Sequence, residues 1–386
     1  MNPIKYLKIF SKEPCPCGSG KTYLKCCKNR TDRPKKPSKK PLDIQIMEQF
    51  RKSQIKCCLH PDTSSCVKHI KEAHALQNNK IISQLSEEGH VYILNPQRPP
   101  LIIPIENEEP EILTIIDHVG VNHATTATCF CDIHDDEVFA PIEKGAPDFN
   151  RESDEHKYIY AYKAFIFEYY KKLVQQKAIV INIKENPSLL RNTQFIRNYR
   201  QMSLTLQEMK SVKEFFDSGI LRKDYRGLST CVIEFPERIN FANYACIAID
   251  FDLKGKKIKH TKRGFINRLF ITIFPEETKS YIILSCLNKD LGIYQNFFQQ
   301  MQRTNPDKIK YYFDLVLPLY TENIVISPRL WEKWNEERKM AYTFYANRKE
   351  KQFVIYRQIL KFGIYNLRKR DNGFGEGNRG KIDLFE

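Results

Sequence analysis

Cys57-Cys58-Leu59-His60-Pro61 opens a stretch that runs on through Cys66 and Lys71-Glu72-Ala73-His74-Ala75-Leu76 and closes on Cys129-Phe130-Cys131-Asp132-Ile133-His134-Asp135. Thiols and imidazoles crowd both ends of an otherwise ordinary segment. A chain gathers such groups for a metal, a disulfide or a catalytic centre. Cys131-x-x-His134 has the spacing of a zinc knuckle at the start of a helix. Cys58 and Cys66, with seven residues between them, supply the other half of the set. Cys57, His60, His69 and Cys129 are spare ligand candidates. The bland account of the same residues is buried thiols beside solvent-facing imidazoles.

A chain of 386 residues is long enough for two or three cores, and its 41% hydrophobic and 28% charged residues indicate folding rather than disorder. No run approaches the roughly 18 apolar residues needed to cross a bilayer. Met1-Asn2-Pro3-Ile4-Lys5 leads into charge and cysteine rather than the apolar core of a signal peptide, so the expected location is the cytoplasm. Nine of twelve cysteines fall at or before Cys131, in clusters, whereas Cys231, Cys246 and Cys286 sit singly in apolar runs. In a reducing compartment clustered thiols bind metal in preference to forming disulfides. Formal net charge is +16, and residues 1–41, with twelve Lys/Arg against two acids, hold +10 of it. A basic arm of this kind suits a nucleic acid, DNA or RNA, because neutralised phosphates release counterions. A solubilising tail explains the same charge.

Within that arm, Pro14-Cys15-Pro16-Cys17-Gly18-Ser19-Gly20-Lys21 is followed by Cys26-Cys27, four thiolates able to surround one tetrahedral zinc. Gly18 and Gly20 permit the tight turn between them. So short a module cannot bury a core, and metal binding would supply its folding energy. Residues 14–27 resemble the SEC-C zinc motif, found in the tail of the SecA translocation ATPase and appended to many bacterial proteins. The resemblance implies an attachment module for a protein, ribosome or nucleic-acid partner. It does not imply an enzyme.

Residues 57–143 resemble an HNH-type nuclease core built on a treble clef. That resemblance makes His74, within Ala73-His74-Ala75, the general base that activates water. It places Asp135 at the metal-binding helix position, with Mg2+ or Mn2+ as its ion, and Asn122, in competition with His123, as the middle polar residue. Structural zinc would then sit on Cys58, Cys66, Cys131 and His134. An imidazole suits a base because it titrates near neutrality, and a carboxylate suits a hard divalent ion facing a phosphate. The sequence departs from the pattern in two ways: Asp135 stands where His or Asn is usual, and no Cys-x-x-Cys opens the segment. A nuclease of this design would suit phage or mobile-element defence. The alternative is a non-catalytic SEC-C adaptor that binds a protein or ribosome.

The expected fold class is α+β. Residues 1–28 form the zinc module, and residues 29–41, basic and proline-punctuated, a flexible linker. Residues 42–150 form the zinc-binding centre, opening with a short helix over 42–56, and contain strands at 89–94 and 112–119 around a loop at 95–110. Residues 151–227 are helical: Tyr158, Tyr162, Phe165, Ile166, Tyr169 and Leu173 recur at the spacing of an amphipathic helix, and a second helix runs from Gln194 to Asp217. Residues 228–367 hold an antiparallel sheet, with strands at 231–235, 244–249, 269–274 and 281–285, and then helices. The tail, residues 368–386, is expected to be disordered. No P-loop or internal repeat is present.

Overall fold

The computed structural model describes residues 8–31, 39–144, 148–260, 266–347 and 382–386. In chain order it contains α1 (Leu42–Ser53), β1 (Ile70–His74), α2 (Ser83–Leu85), β2 (His90–Leu94), β3 (Leu101–Ile103), β4 (Glu111–Leu113), β5 (Ile116–Gly120), β6 (Thr126–Cys131) and α3 (Asp132–Glu143). Two long helices follow, α4 (Asp154–Glu185) and α5 (Thr193–Arg222). The remainder is β7 (Leu228–Phe235), β8 (Phe241–Ile247), β9 (Leu269–Pro275), β10 (Ser280–Leu287), α6 (Leu291–Arg303), α7 (Pro306–Tyr320), β11 (Ile324–Ile326), α8 (Pro328–Lys333) and α9 (Glu336–Ala346). The architecture is mixed α+β with antiparallel sheets, as its sequence indicates. It divides into two compact units, an N-terminal unit of Met1–Lys56 with Tyr169–Phe215 and a main unit of Cys57–Glu168 with Phe216–Glu386.

The main unit is organised by a seven-stranded sheet in the order β5-β2-β11-β8-β9-β10-β7. Every pairing in it is antiparallel. The strands β9 and β10 are buried along their whole length, so both faces of the sheet are covered. One face carries Phe235, Ile271, Ile273, Ile282 and Leu284, packed with Tyr294 and Phe297 of α6 and Tyr312, Phe313 and Leu317 of α7. The first turns of α4 cover the other face. There the Tyr160 ring stacks on Phe274 at 5.0 Å, and Phe165 and Phe167 meet Phe270 and Tyr244 edge-on.

This arrangement corrects the expected amphipathic character of α4. Residues 158–167 are buried without interruption, because Phe130 and Phe139, from β6 and α3, pack on Tyr162 in addition to those sheet contacts. A helix buried all round has no polar stripe to show.

The domain boundaries drawn from sequence also shift. Residues 42–150 do not stand apart, since β2 pairs with β11 and β5 extends the same sheet as the C-terminal strands. The single strand expected at 112–119 is two, because the chain breaks at Thr114-Ile115: β4 pairs with β3, inside the expected loop, and β5 pairs with β2. The tail, expected to be disordered through residue 386, ends in structure. Ile382 and Leu384 are buried in the main core, and the Leu384 amide donates to Asp314 Oδ1 at 2.8 Å. The rest of that expectation, residues 368–381, lies outside the described residues, as do residues 32–38 of the linker.

In the N-terminal unit, Cys15, Cys17, Tyr23 and Cys27 are buried in one cluster with Ile183, Leu190 and Ile196 from the helical segment. Arg200 adds an ion pair to Glu13 at 2.5 Å. The cysteine module therefore has apolar packing of its own, rather than being only a tethered appendage.

Candidate metal centres and the His74 cluster

Two groups of side chains, among the described residues, can each hold a metal ion. The first is Cys15, Cys17, Cys26 and Cys27. Gly18 and Gly20 adopt φ of +72° and +75°, which folds the intervening turn back so that the two cysteine pairs meet. Sγ atoms lie 3.4 Å apart for Cys15–Cys17, 3.5 Å for Cys17–Cys26 and 3.8 Å for Cys26–Cys27. A tetrahedron of thiolates about 2.3 Å from zinc has edges of about 3.8 Å, so the residues fit the ion. Burial opposes ionisation at Cys17, but hydrogen bonds from Ser19, Cys15 and Cys26 outweigh it and bring that thiol down to about 6. Burial pushes Cys15 and Cys27 up. The cluster thus contains a thiol already disposed to ionise, and a bound metal would have to deprotonate Cys15 and Cys27.

The second group is Cys58, Cys66, Cys131 and His134. Three separate pieces of chain supply it. Cys131 ends β6 and His134 lies in the first turn of α3, which fixes their spacing. Cys58 lies on a segment tied alongside β6 by the Cys57 amide to Thr128 O and the Leu59 amide to Cys129 O. Cys66 follows a turn built on Asp62, whose carboxylate accepts from the Ser64 amide and from the Ser64 and Ser65 hydroxyls. The Sγ atoms of Cys58, Cys66 and Cys131 stand 3.4, 3.5 and 3.2 Å from His134 Nδ1. One ring nitrogen cannot hydrogen-bond three thiols at once. A tetrahedral zinc with bonds of about 2.3 Å to sulfur and about 2.0 Å to nitrogen places these atoms about 3.5 Å apart.

The surroundings of His134 fit the same role. Ser65 Oγ donates to Asp62 Oδ2 at 2.7 Å and accepts from His134 Nε2 at 2.9 Å. With its proton on Nε2, the ring presents the Nδ1 lone pair to the three sulfurs. The His60 ring stacks on His134 at 3.8 Å. Burial and the neighbouring thiols push Cys66 up to about 12, whereas the His134 and Val67 amides overcome burial at Cys131 and draw it down. Of the other spare candidates, Cys129 is buried and raised by that burial, and His69 pairs with Asp132 at 2.6 Å on the surface.

His74 ends β1, whose antiparallel partner is β6, and stands opposite Thr126, at the end of β6 away from Cys131 and the start of α3. Its Nδ1 donates to Ala124 O at 2.9 Å, which leaves the Nε2 lone pair of the neutral ring available. Burial and then the charge of Lys163 lower its pKa, although the Ala124 bond and the Glu143 and Asp135 charges act the other way. Asp135 is 4% exposed and ion-paired with Lys71 at 3.0 Å. Burial raises its pKa despite the attraction of Lys163 and Lys71. Lys163, 3% exposed, is held by Glu143 and lies 4.5 Å over the Phe139 ring. Asn122 lies on a short turn over Val121–His123, exposed, and accepts from Asn78 at 3.0 Å.

Lys71, Glu143 and Lys163 were not singled out from the sequence. Lys163 had a signal: it is the one charge in the run Tyr158–Phe167, a poor place for an ammonium without a partner.

The SEC-C motif family matches residues 12–29, which span the first cluster. No curated protein matches the chain. No solved structure matches it either. Among the described residues no helix is long and apolar enough to cross a membrane.

Proposed function

We propose that this protein binds nucleic acid and hydrolyses its phosphodiester bonds, with His74 as the general base. The observation that carries the reading is the bond from His74 Nδ1 to Ala124 O. It fixes the tautomer that leaves Nε2 free to take a proton from water, while burial keeps the ring neutral at physiological pH. The deprotonated water attacks phosphorus, and the ester oxygen on the far side departs. Asp135 is the side chain to hold Mg2+ or Mn2+, an ion that stabilises the charge developing on the phosphate. The strand, strand and helix made by β1, β6 and α3, with a ligand cluster at the helix start, agree with the HNH resemblance in the sequence. Asn122, engaged by Asn78, is the weakest member of that set.

The test is incubation of zinc-loaded protein with plasmid and with RNA in magnesium or manganese. Cleavage by the wild type that is lost in His74→Ala, with zinc content unchanged, is the expected result. Cleavage indifferent to that substitution, or none at all, refutes the assignment.

A second reading is a non-catalytic adaptor for a protein or ribosome. It is favoured by the burial of Asp135 and its existing ion pair with Lys71, which a divalent ion would have to displace. Capture of such a partner by the wild type and by His74→Ala alike, insensitive to nuclease treatment, would support it.

A further inference from the structure

The division of the chain into compact units also divides its charge. The N-terminal unit, Met1–Lys56 with Tyr169–Phe215, carries 24 Lys/Arg against 7 Asp/Glu, a formal +17. The whole chain has 62 against 46, so the main unit has 38 against 39, a formal −1. The excess is therefore not confined to the basic arm, because the helical residues packed with the SEC-C motif add to it. The main unit, more than twice as large and the one that contains His74 and Asp135, contributes none.

The described cations of the N-terminal unit are held in one packed body. Lys21, Lys25, Lys28 and Arg30 are exposed on the motif, whose cysteines and Tyr23 pack on Leu190 and Ile196. Arg191 and Arg197 are exposed beside those two apolar residues in the chain, and Arg191 Nη2 donates to Arg30 O at 3.5 Å. A set of exposed cations on one packed unit suits the phosphates of a nucleic acid, the partner for which counterion release favours binding.

We infer that the N-terminal unit, through Lys21, Lys25, Lys28, Arg30, Arg191 and Arg197, is the nucleic-acid docking surface of this protein, gripping the phosphate backbone while the main unit contributes little to affinity. This deepens the proposed function and rests on its nucleic-acid half, not on catalysis. The surface reads backbone rather than sequence, since ammonium and guanidinium contacts to phosphate carry no base information.

The test uses the full-length, zinc-loaded chain in the His74→Ala background, so that probes survive, with a labelled DNA duplex and a labelled RNA hairpin. One variant joins K21E, K25E, K28E and R30E, and another joins R191E and R197E. A control joins K254E, K256E, K257E and K259E on an exposed basic loop of the main unit. Zinc content and circular dichroism establish that each variant is folded. Expected is a salt dependence of binding shallower by about 0.9 per lost duplex contact and a loss on the order of tenfold to a thousandfold in affinity for both N-terminal variants, with the control unchanged. The inference is overturned if the wild type binds neither probe, if folded N-terminal variants bind as the wild type does, or if the control loses affinity in their place. Binding that follows this pattern in a protein that never cleaves would leave the inference standing and remove the nuclease. Cleavage by a wild type whose N-terminal variants bind normally would do the reverse.

Discussion

The two cysteine clusters reach similar geometry by opposite routes. Cys15, Cys17, Cys26 and Cys27 come from a single turn of chain, and the apolar residues around them are few. Cys58, Cys66, Cys131 and His134 lie up to 76 positions apart in sequence and meet only when β1, β6, α3 and the Cys57–Leu59 segment are in place. A local set can form before the rest of the chain folds. A dispersed set forms with the fold and stabilises it, because an ion bound at its folded geometry binds the unfolded chain far more weakly. Losing the first ion should therefore cost a module, and losing the second should cost the core around it.

The largest effect follows from that contrast. Cys131→Ser should remove much of a zinc-binding energy on the order of 10 kcal/mol and unfold the β1–β6–α3 region with its neighbours, seen as a large fall in the main thermal transition. Cys17→Ser should release one zinc and leave the main transition in place. Equal damage from both substitutions would break the comparison.

Smaller is the effect of the groups behind the ligands. Ser65→Ala deletes the hydroxyl linking Asp62 to His134 and should lower zinc affinity at the second cluster about 10- to 100-fold, measured by chelator competition. The first cluster should be untouched. Ser19→Ala, which removes an exposed hydroxyl 3.2 Å from Cys26 Sγ, should weaken the first cluster less, since solvent can replace that contact.

The smallest effect is on pH dependence. All nine histidines belong to the main unit. Burial lowers the pKa of His74 and, with a smaller contribution from Lys80, of His156. The unfolded chain, with imidazoles near 6.5, then takes up these protons more readily than the native one. The stability they contribute is fully present above about 6.5 and is lost as pH falls below that value toward the native midpoints. Proton NMR titration of His74 and His156 should give midpoints below about 6.5, and denaturant melts between neutrality and the native midpoints should show the main unit weakening while the histidine-free N-terminal unit holds. A midpoint above the unfolded value for either residue would reverse the sign.

The same contrast explains what could be read in advance. The first cluster was legible because Cys-x-Cys-Gly-Ser-Gly-Lys and Cys-Cys are adjacent in sequence. The four residues of the second cluster were also identified, since Cys131-x-x-His134 is local and Cys58 and Cys66 lie in the same cysteine-rich stretch. What sequence could not supply was pairing between distant strands. Ile324-Val325-Ile326 is too short to show alternation, yet β11 joins β2 to β8 and so unites the expected centre with the C-terminal sheet. Lys163 and Glu143 escaped notice for a similar reason: twenty residues separate them, and only α3 packing on α4 makes them a pair. The tail residues Ile382 and Leu384 follow a Gly-rich stretch whose composition masks two apolar anchors.

The most direct measurement is the zinc content of the purified wild type by native mass spectrometry, repeated on Cys17→Ser and Cys131→Ser. The account predicts two zinc ions per chain, with a different one lost in each variant. A single zinc, unaffected by Cys131→Ser, would contradict it.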